Sequence, residues 1–298
     1  MTDTVAPRDI NRGTPTTDVP RSAPRPGPRD RAPMPGLLAA TRQRSSVELK
    51  SFFRNTQSMV FTLMLPILLL VVFGTIFSGT IEGTTTDFKQ YFVAGIIAAG
   101  VMSTAFTGLA INVALEREMG LIRRLASSPM PKGAYFLGKV VLVAVTSILE
   151  TIILVGIGAA FFGLNIPTDP NHWAVFAGVL VLGTAACSLC GLAYTALIPS
   201  AAAASAVVTP PFLVLQFISG VFFPFNELPG WMQSFASIFP LKWMTQGFRY
   251  VFLPEDFQIV ESGGTWDLPG VAMMLGLWVL VGGVLTMVTF RWRGPKVK

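Results

Sequence analysis

Apolar and polar positions fall along the chain as long uninterrupted apolar runs divided by short polar breaks. A bilayer core of about 30 Å takes roughly twenty apolar residues wound as helix. Six segments meet that length, at about 58–77, 91–114, 136–162, 173–197, 203–223 and 269–290. They predict an all-α polytopic membrane protein. Ahead of the first span, Leu37 to Gln57 alternates cations with Leu, Val and Phe at helical spacing. It reads as an amphipathic helix on the inner membrane surface, with a plain extension of the first span as the other reading. The connection between the fifth and sixth spans is aromatic and amphipathic, with no single run long enough to cross. It predicts one or two short helices dipping into the outer interface, anchored by Trp231, Trp243 and Phe248, with a hidden seventh span as the alternative.

Composition agrees with this pattern. Of 298 residues, 52% are hydrophobic and only 13% charged, where soluble domains carry about a quarter charged. Residues 1–36 are rich in Pro, Arg, Asp and Thr and hold few large apolar side chains, so they predict a disordered tail that is no signal peptide. The transmembrane domain is expected over 37–293, followed by a short C-terminal tail at 294–298. Orientation follows from the cations. Ten lie in residues 1–56, five between Arg117 and Lys139 and four in the C-terminal RWRGPKVK, leaving Lys89, Lys242 and Arg249 opposite. The positive-inside rule then puts both termini in the cytoplasm. Cations spread along membrane borders answer lipid headgroups and not nucleic acid.

Candidate chemistry is sparse. GAYFLGKV, Gly133 to Val140, spaces two glycines and a lysine like a phosphate loop. It lacks the Ser or Thr after Lys139 that would hold magnesium and a strand leading in. It is read as the mouth of a span, with Lys139 reaching the headgroups. Cys187 and Cys190, within CSLC, are read as soft residues packing one turn apart in preference to a redox dithiol. His172, in a short polar loop, is read as solvated. No ligand set for metal and no catalytic cluster is evident. Glu150 stands in mid-span within SILETIIL, where a carboxyl is costly. Structural hydrogen bonding, a cation from another helix and proton coupling remain open for it.

Six apolar helices without catalytic residues suggest a conduit that needs an energy source. The sizeable inner feature between spans is LEREMGLIRRLASSPMPKGAYFLGKV, in which Glu116, Arg117 and Glu118 precede Arg123 and Arg124 and prolines end the helix. A charged helix of this kind is either a solvated turn or a docking element.

This segment, together with SGVFFPFNELPGWMQSFASIFPLKWMTQGFRYV, resembles the type-2 permease subunits of bacterial ATP-binding-cassette exporters, in the daunorubicin-resistance and nodulation-export branch. The resemblance covers about 37–293. It implies that Glu116, Arg117, Glu118, Arg123 and Arg124 form a coupling helix seated on a soluble ATPase, present in two copies and holding the ATP and magnesium. It implies a second permease copy or paralogue, the bacterial cytoplasmic membrane and alternating access for a hydrophobic or amphipathic cargo such as a drug, lipid or secondary metabolite. This chain has no nucleotide-binding domain and is not itself expected to be an enzyme. Phe223, Pro224, Leu228 and Pro229 match the family's turn into its outer helices. Pathway residues are then expected on the second span, at Ser103, Thr107 and Asn112, and on the fifth, at Thr209, Phe212, Gln216 and Ser219, where Pro210 and Pro211 break the hydrogen-bond ladder. Interhelical hydrogen bonding is the competing reading. Small residues, Ala94, Gly95, Ala98 and Gly100 on the second span and Gly178, Gly183, Cys187 and Gly191 on the fourth, allow close helix approach. An ion-driven secondary transporter using Glu150 is the alternative function.

Overall fold

The computed structural model describes residues 36–128 and 130–290. The disordered tail expected to residue 36 lies, except for Gly36, outside the described residues, as does the tail at 294–298. In chain order the elements are α1 (Leu37–Arg54), α2 (Thr56–Ile76), α3 (Phe88–Met102), a π-helix (Ser103–Gly108), α4 (Leu109–Glu118), α5 (Leu121–Ala126), α6 (Lys132–Phe161), α7 (Pro170–Tyr194), α8 (Ala201–Ile218), α9 (Gly230–Ala236), α10 (Pro240–Phe252) and α11 (Leu268–Thr289), with short 3-10 turns between. Among the described residues there is no β-sheet, only an isolated bridge between Thr80 and Asp87.

Five helical stretches are long and apolar enough to cross a membrane: Phe88–Glu118, Lys132–Phe161, Pro170–Leu197, Ala201–Ile218 and Leu268–Thr289. A shorter apolar stretch, Thr62–Ile76 within α2, lies where the first span is expected. Polar side chains write the starts of four of these helices. Asp87 accepts from Lys89 N, Asp169 from Asn171 N, Ser200 from Ala203 N and Asp267 from Gly270 N, satisfying first-turn amides. Pro170 at the opening of α7 suits a position whose N–H has no helical partner.

The helix α3 is the centre of the molecule, since every residue from Tyr91 to Met102 is buried. Helices α2, α6, α7 and α10 pack around it. A helix apolar on all sides must be enclosed on all sides. By contrast α11 turns Met273, Leu280, Val284, Met287 and Val288 outward, and α2 exposes Met64, Leu65, Leu68 and Val71. These faces suit contact with hydrocarbon.

The structure revises some of these expectations. The fifth span ends at Ile218 and not near 223, because Gly220 turns the chain at φ 74°. A side chain at Gly220 would lie 3.2 Å from Arg249, Phe225 and Tyr91 alike, so conformation and space both call for glycine. Pro210 and Pro211 lie inside α8, where each removes a backbone donor without ending the helix. In α1 the helix is present, but its buried face is Ala40, Ser45 and Glu48 against α6, while Leu38, Val47 and Phe53 point outward. The outward face is mixed, since Arg42, Gln43, Ser46 and Lys50 are exposed beside those apolar side chains.

Outside the spans, α9 and α10 have 7 and 13 residues, too short to cross at about 1.5 Å per residue. Trp231 is 68% exposed and Trp243 is half-buried. Phe248 is no interfacial anchor. It is wholly buried, with its ring 5.6 Å from that of Phe176, because α10 packs onto α3 and α7. His172 is stacked on Tyr250 at 4.8 Å and not simply solvated. Cys187 is buried with its thiol donating to the Met244 sulfur, and neither it nor Cys190 is in a disulfide.

Candidate coupling and pathway site

The long helix Phe88–Glu118 ends in the triplet Glu116, Arg117, Glu118, and each of the three holds a different neighbour. Glu116 is buried and accepts from Lys139 Nζ at 2.6 Å and Tyr135 Oη at 2.9 Å, both on α6. Arg117 donates to the carbonyls of Thr195, at 2.9 Å, and Ile198, closing the C-terminal end of α7. Glu118 accepts from the backbone N–H of Ala201, the first residue of α8, where a carboxylate also meets the positive end of the helix dipole. Successive side chains on a helix point about 100° apart, so three in a row reach three surroundings.

Glu116 belongs to a larger buried cluster. Lys139 is fully buried and donates also to Glu48 Oε2 of α1 at 2.9 Å. Arg44 pairs with Glu48 one turn away and lies 3.7 Å from Glu116. Two cations thus face two carboxylates. Lys139 therefore does not reach the headgroups, and this corrects its reading from sequence. An unpaired charge at this depth would be prohibitive, and two carboxylates hold the ammonium in place.

Beyond the triplet, Gly120 at φ 73° turns the chain into α5, which buries Ile122 and leaves Arg123 and Arg124 exposed. Together with Lys132 they are the exposed cations of the charged segment. Of the expected pathway residues, Thr209, Phe212, Gln216 and Ser219 fall on one side of α8; Phe212, Gln216 and Ser219 are buried and Thr209 partly so. That helix packs on α4 and on the π-helix carrying Ser103 and Thr107. Asn112 opens elsewhere, into a cavity of about 510 Å³ bounded by α1, α4 and α6. The structure does not bring all seven into one space. A second, apolar cavity of about 340 Å³ lies between α7, α8 and α11, against Met102, Phe106, Tyr194, Leu215 and Trp278.

Glu150 is buried in α6, and its Oε2 accepts from Thr104 Oγ1 at 2.7 Å. Gly100 faces it so closely that a Cβ there would lie 2.6 Å from Glu150 Oε1. Gly191 of α7 likewise admits the π-helix, its Cβ position being 2.8 Å from the Phe106 carbonyl oxygen.

On the outer side, Arg249 of α10 is fully buried, forked onto Glu261 and donating to the Gly220 carbonyl at 2.9 Å. Tyr91 donates to the carbonyls of Gly220 at 2.7 Å and Phe223 at 2.8 Å. From sequence Arg249 was an outer-face cation with no assigned partner, and Glu261 is that partner. Their separation of twelve residues across a 3-10 turn carries no helical pairing signal.

The description "ABC-2 type transporter" matches residues 43–253. The chain is 26% identical to the inner membrane transport permease YadH of Escherichia coli over 79% of this chain and 93% of that one. It is 27% identical to a putative transport permease, ycf38, of Porphyra purpurea over 70% and 72% of the two chains. It is 24% identical to the probable doxorubicin resistance permease DrrC of Mycobacterium tuberculosis over 83% and 84%.

Proposed function

The chain belongs to the ABC-2 type transporter family and is a membrane-embedded permease subunit of an ABC exporter; on that premise we propose that a separate soluble ATPase drives it by bearing on α5. The observation that carries this reading is the triplet Glu116–Glu118. Its three members tie the end of α4 to α6, the end of α7 and the start of α8, so a movement of α5 that carries the end of α4 with it is passed to those helices. Arg123 and Arg124 offer an acidic groove on the partner a charge-complementary seat, which gives docking its register. ATP and magnesium belong to that partner. Two permease halves, the second a copy or a paralogue, enclose the pathway with two ATPase subunits. The cation bias supports a cytoplasmic position for both termini and for α5.

The cycle is alternating access. Nucleotide shifts the inward–outward equilibrium only as far as it binds one state more tightly than the other. A hydrophobic or amphipathic cargo is supported by the apolar cavity beside α8 and by the drug-resistance description of one relative. Co-purification with a soluble ABC ATPase subunit tests the reading. Arg123→Glu with Arg124→Glu is expected to abolish association and cargo-stimulated ATP hydrolysis while leaving insertion intact. Unchanged association and stimulation would sink the proposal. Reversal at Glu116 would not test docking, because it would break the buried cluster.

A further inference from the structure

Four carboxyl groups are buried among the described residues: Glu48, Glu116, Glu150 and Glu261. Three have a cation. Glu48 and Glu116 share Lys139 and Arg44, and Glu261 holds Arg249. Glu150 is 1% exposed and has the Thr104 hydroxyl alone, while its Oε1 has no hydrogen-bond partner. Within one turn on α6, the buried hydroxyls of Ser147 and Thr151 lack partners too. Polar groups at this depth are normally paired, since each unpaired one costs free energy. The π-helix facing Glu150 is of the kind found often at functional positions.

A route leads there. The 510 Å³ cavity runs from Glu48 and Glu116 at one end to Thr104 and Thr146 at the other. Thr104 forms part of its wall, and its hydroxyl hydrogen is already given to Glu150. The oxygen therefore keeps lone pairs for a donor inside the cavity. Asn112 and Ser51 add polarity to the walls, while Leu109 and Leu142 supply apolar surface. Among the described lining residues there is no Lys or Arg. The volume suits a small amphiphile. A bare metal ion would want several oxygen ligands, and no group of three His, Cys, Asp or Glu is found among the described residues.

We propose that the crevice between α1, α4 and α6 binds an amphipathic molecule bearing an aliphatic ammonium group, and that Glu150 is its counter-charge, reached through the Thr104 hydroxyl. The ammonium donates to Thr104 Oγ1, which donates onward to Glu150, and the apolar body lies along Leu109 and Leu142. Glu150 thereby selects a cationic nitrogen over a neutral head. The proposal rests on the permease reading for transport of the ligand and not for its binding.

The test uses the full-length chain in nanodiscs without nucleotide or ATPase, so its failure is separate from failure of the coupling proposal. Cys187→Ala and Cys190→Ala remove the native thiols, and Asn112→Cys places one on the cavity wall. Its modification by methyl methanethiosulfonate is timed with dodecylammonium and with dodecanol. Protection by the ammonium is expected to exceed that by the alcohol about tenfold, the ratio a charge-assisted hydrogen bond supplies. Glu150→Gln is expected to erase that difference. Should Glu150→Gln fail to insert, Thr104→Val provides the same reading by removing the relay. Equal protection by both amphiphiles, protection by neither, a thiol at 112 that never reacts, or selectivity that survives the substitutions would each overturn the assignment.

Discussion

Lys139 Nζ lies 2.6 Å from Glu116 Oε1, and both residues are buried between α4 and α6. The same ammonium reaches Glu48, so one side chain joins α1, α4 and α6. Removing it leaves two carboxylates with Arg44 alone. Lys139→Met is expected to destabilise by about 3–5 kcal/mol, the usual result of orphaning a buried charge. Lys139→Met combined with Glu116→Leu, which leaves the Arg44–Glu48 pair in place, is expected to recover much of that loss. Thermal unfolding of the solubilised chain measures both.

Tyr91 ties α3 to the turn after α8 through two carbonyls. Tyr91→Phe keeps the ring and removes the donor, so the expected loss is about 1–3 kcal/mol for buried acceptors left short of a partner. Amide exchange should accelerate at residues 219–224 more than at the start of α7. Uniform exchange would show that Arg249 alone holds the turn.

Gly191 and Gly178 share α7 but differ in surroundings. A Cβ at Gly191 meets the Phe106 carbonyl oxygen at 2.8 Å, whereas one at Gly178 meets nothing within 4 Å. Gly191→Ala should cost about 1–3 kcal/mol, because helix backbone has to move. Gly178→Ala should raise stability by about 0.5–1 kcal/mol through the lost flexibility of glycine. Melting temperatures of the two variants are expected to move in opposite directions.

Burial pushes the Lys242 ammonium in α10 down to about 8 from an ordinary 10.5. Its Nζ lies 3.7 Å from the Trp243 ring centroid and donates to Gln246 Oε1 at 2.6 Å. The unfolded lysine still binds a proton between these two values while the folded one has released it. Stability from this group therefore rises as pH increases from about 8 towards 10.5 and is flat below 8. Wild type minus Lys242→Met, in melting temperature against pH, should show that slope. A flat difference would refute it.

Hydropathy made the apolar helices legible, because a run such as Val140 to Phe161 has few other uses. Asp169 and Ser200, which stand before apolar runs and cap α7 and α8, were not read as helix starts from sequence. What failed was pairing at long range. Glu48 lies 91 residues from Lys139, and nothing in local spacing joins them, so Lys139 read as an interfacial lysine. Phe248 read as an anchor because aromatics in short outer segments commonly are, while the packing of α10 on α3 decides otherwise. Of the candidate site, the charged triplet was legible as a feature. Its division among three helices needed coordinates.

The π-helix at Ser103–Gly108 stands between Tyr91 at one end of the long helix and Glu116 at the other. Bonding to the fifth residue instead of the fourth stores one extra residue in a single turn. Relative to a regular helix, that offsets everything beyond it by about 100°. Were the spare residue to migrate along the helix, the residues it passed would rotate by that angle while both anchored ends stayed put. A bulge that migrated would therefore turn the side chains between two fixed ends and re-aim them without moving either end.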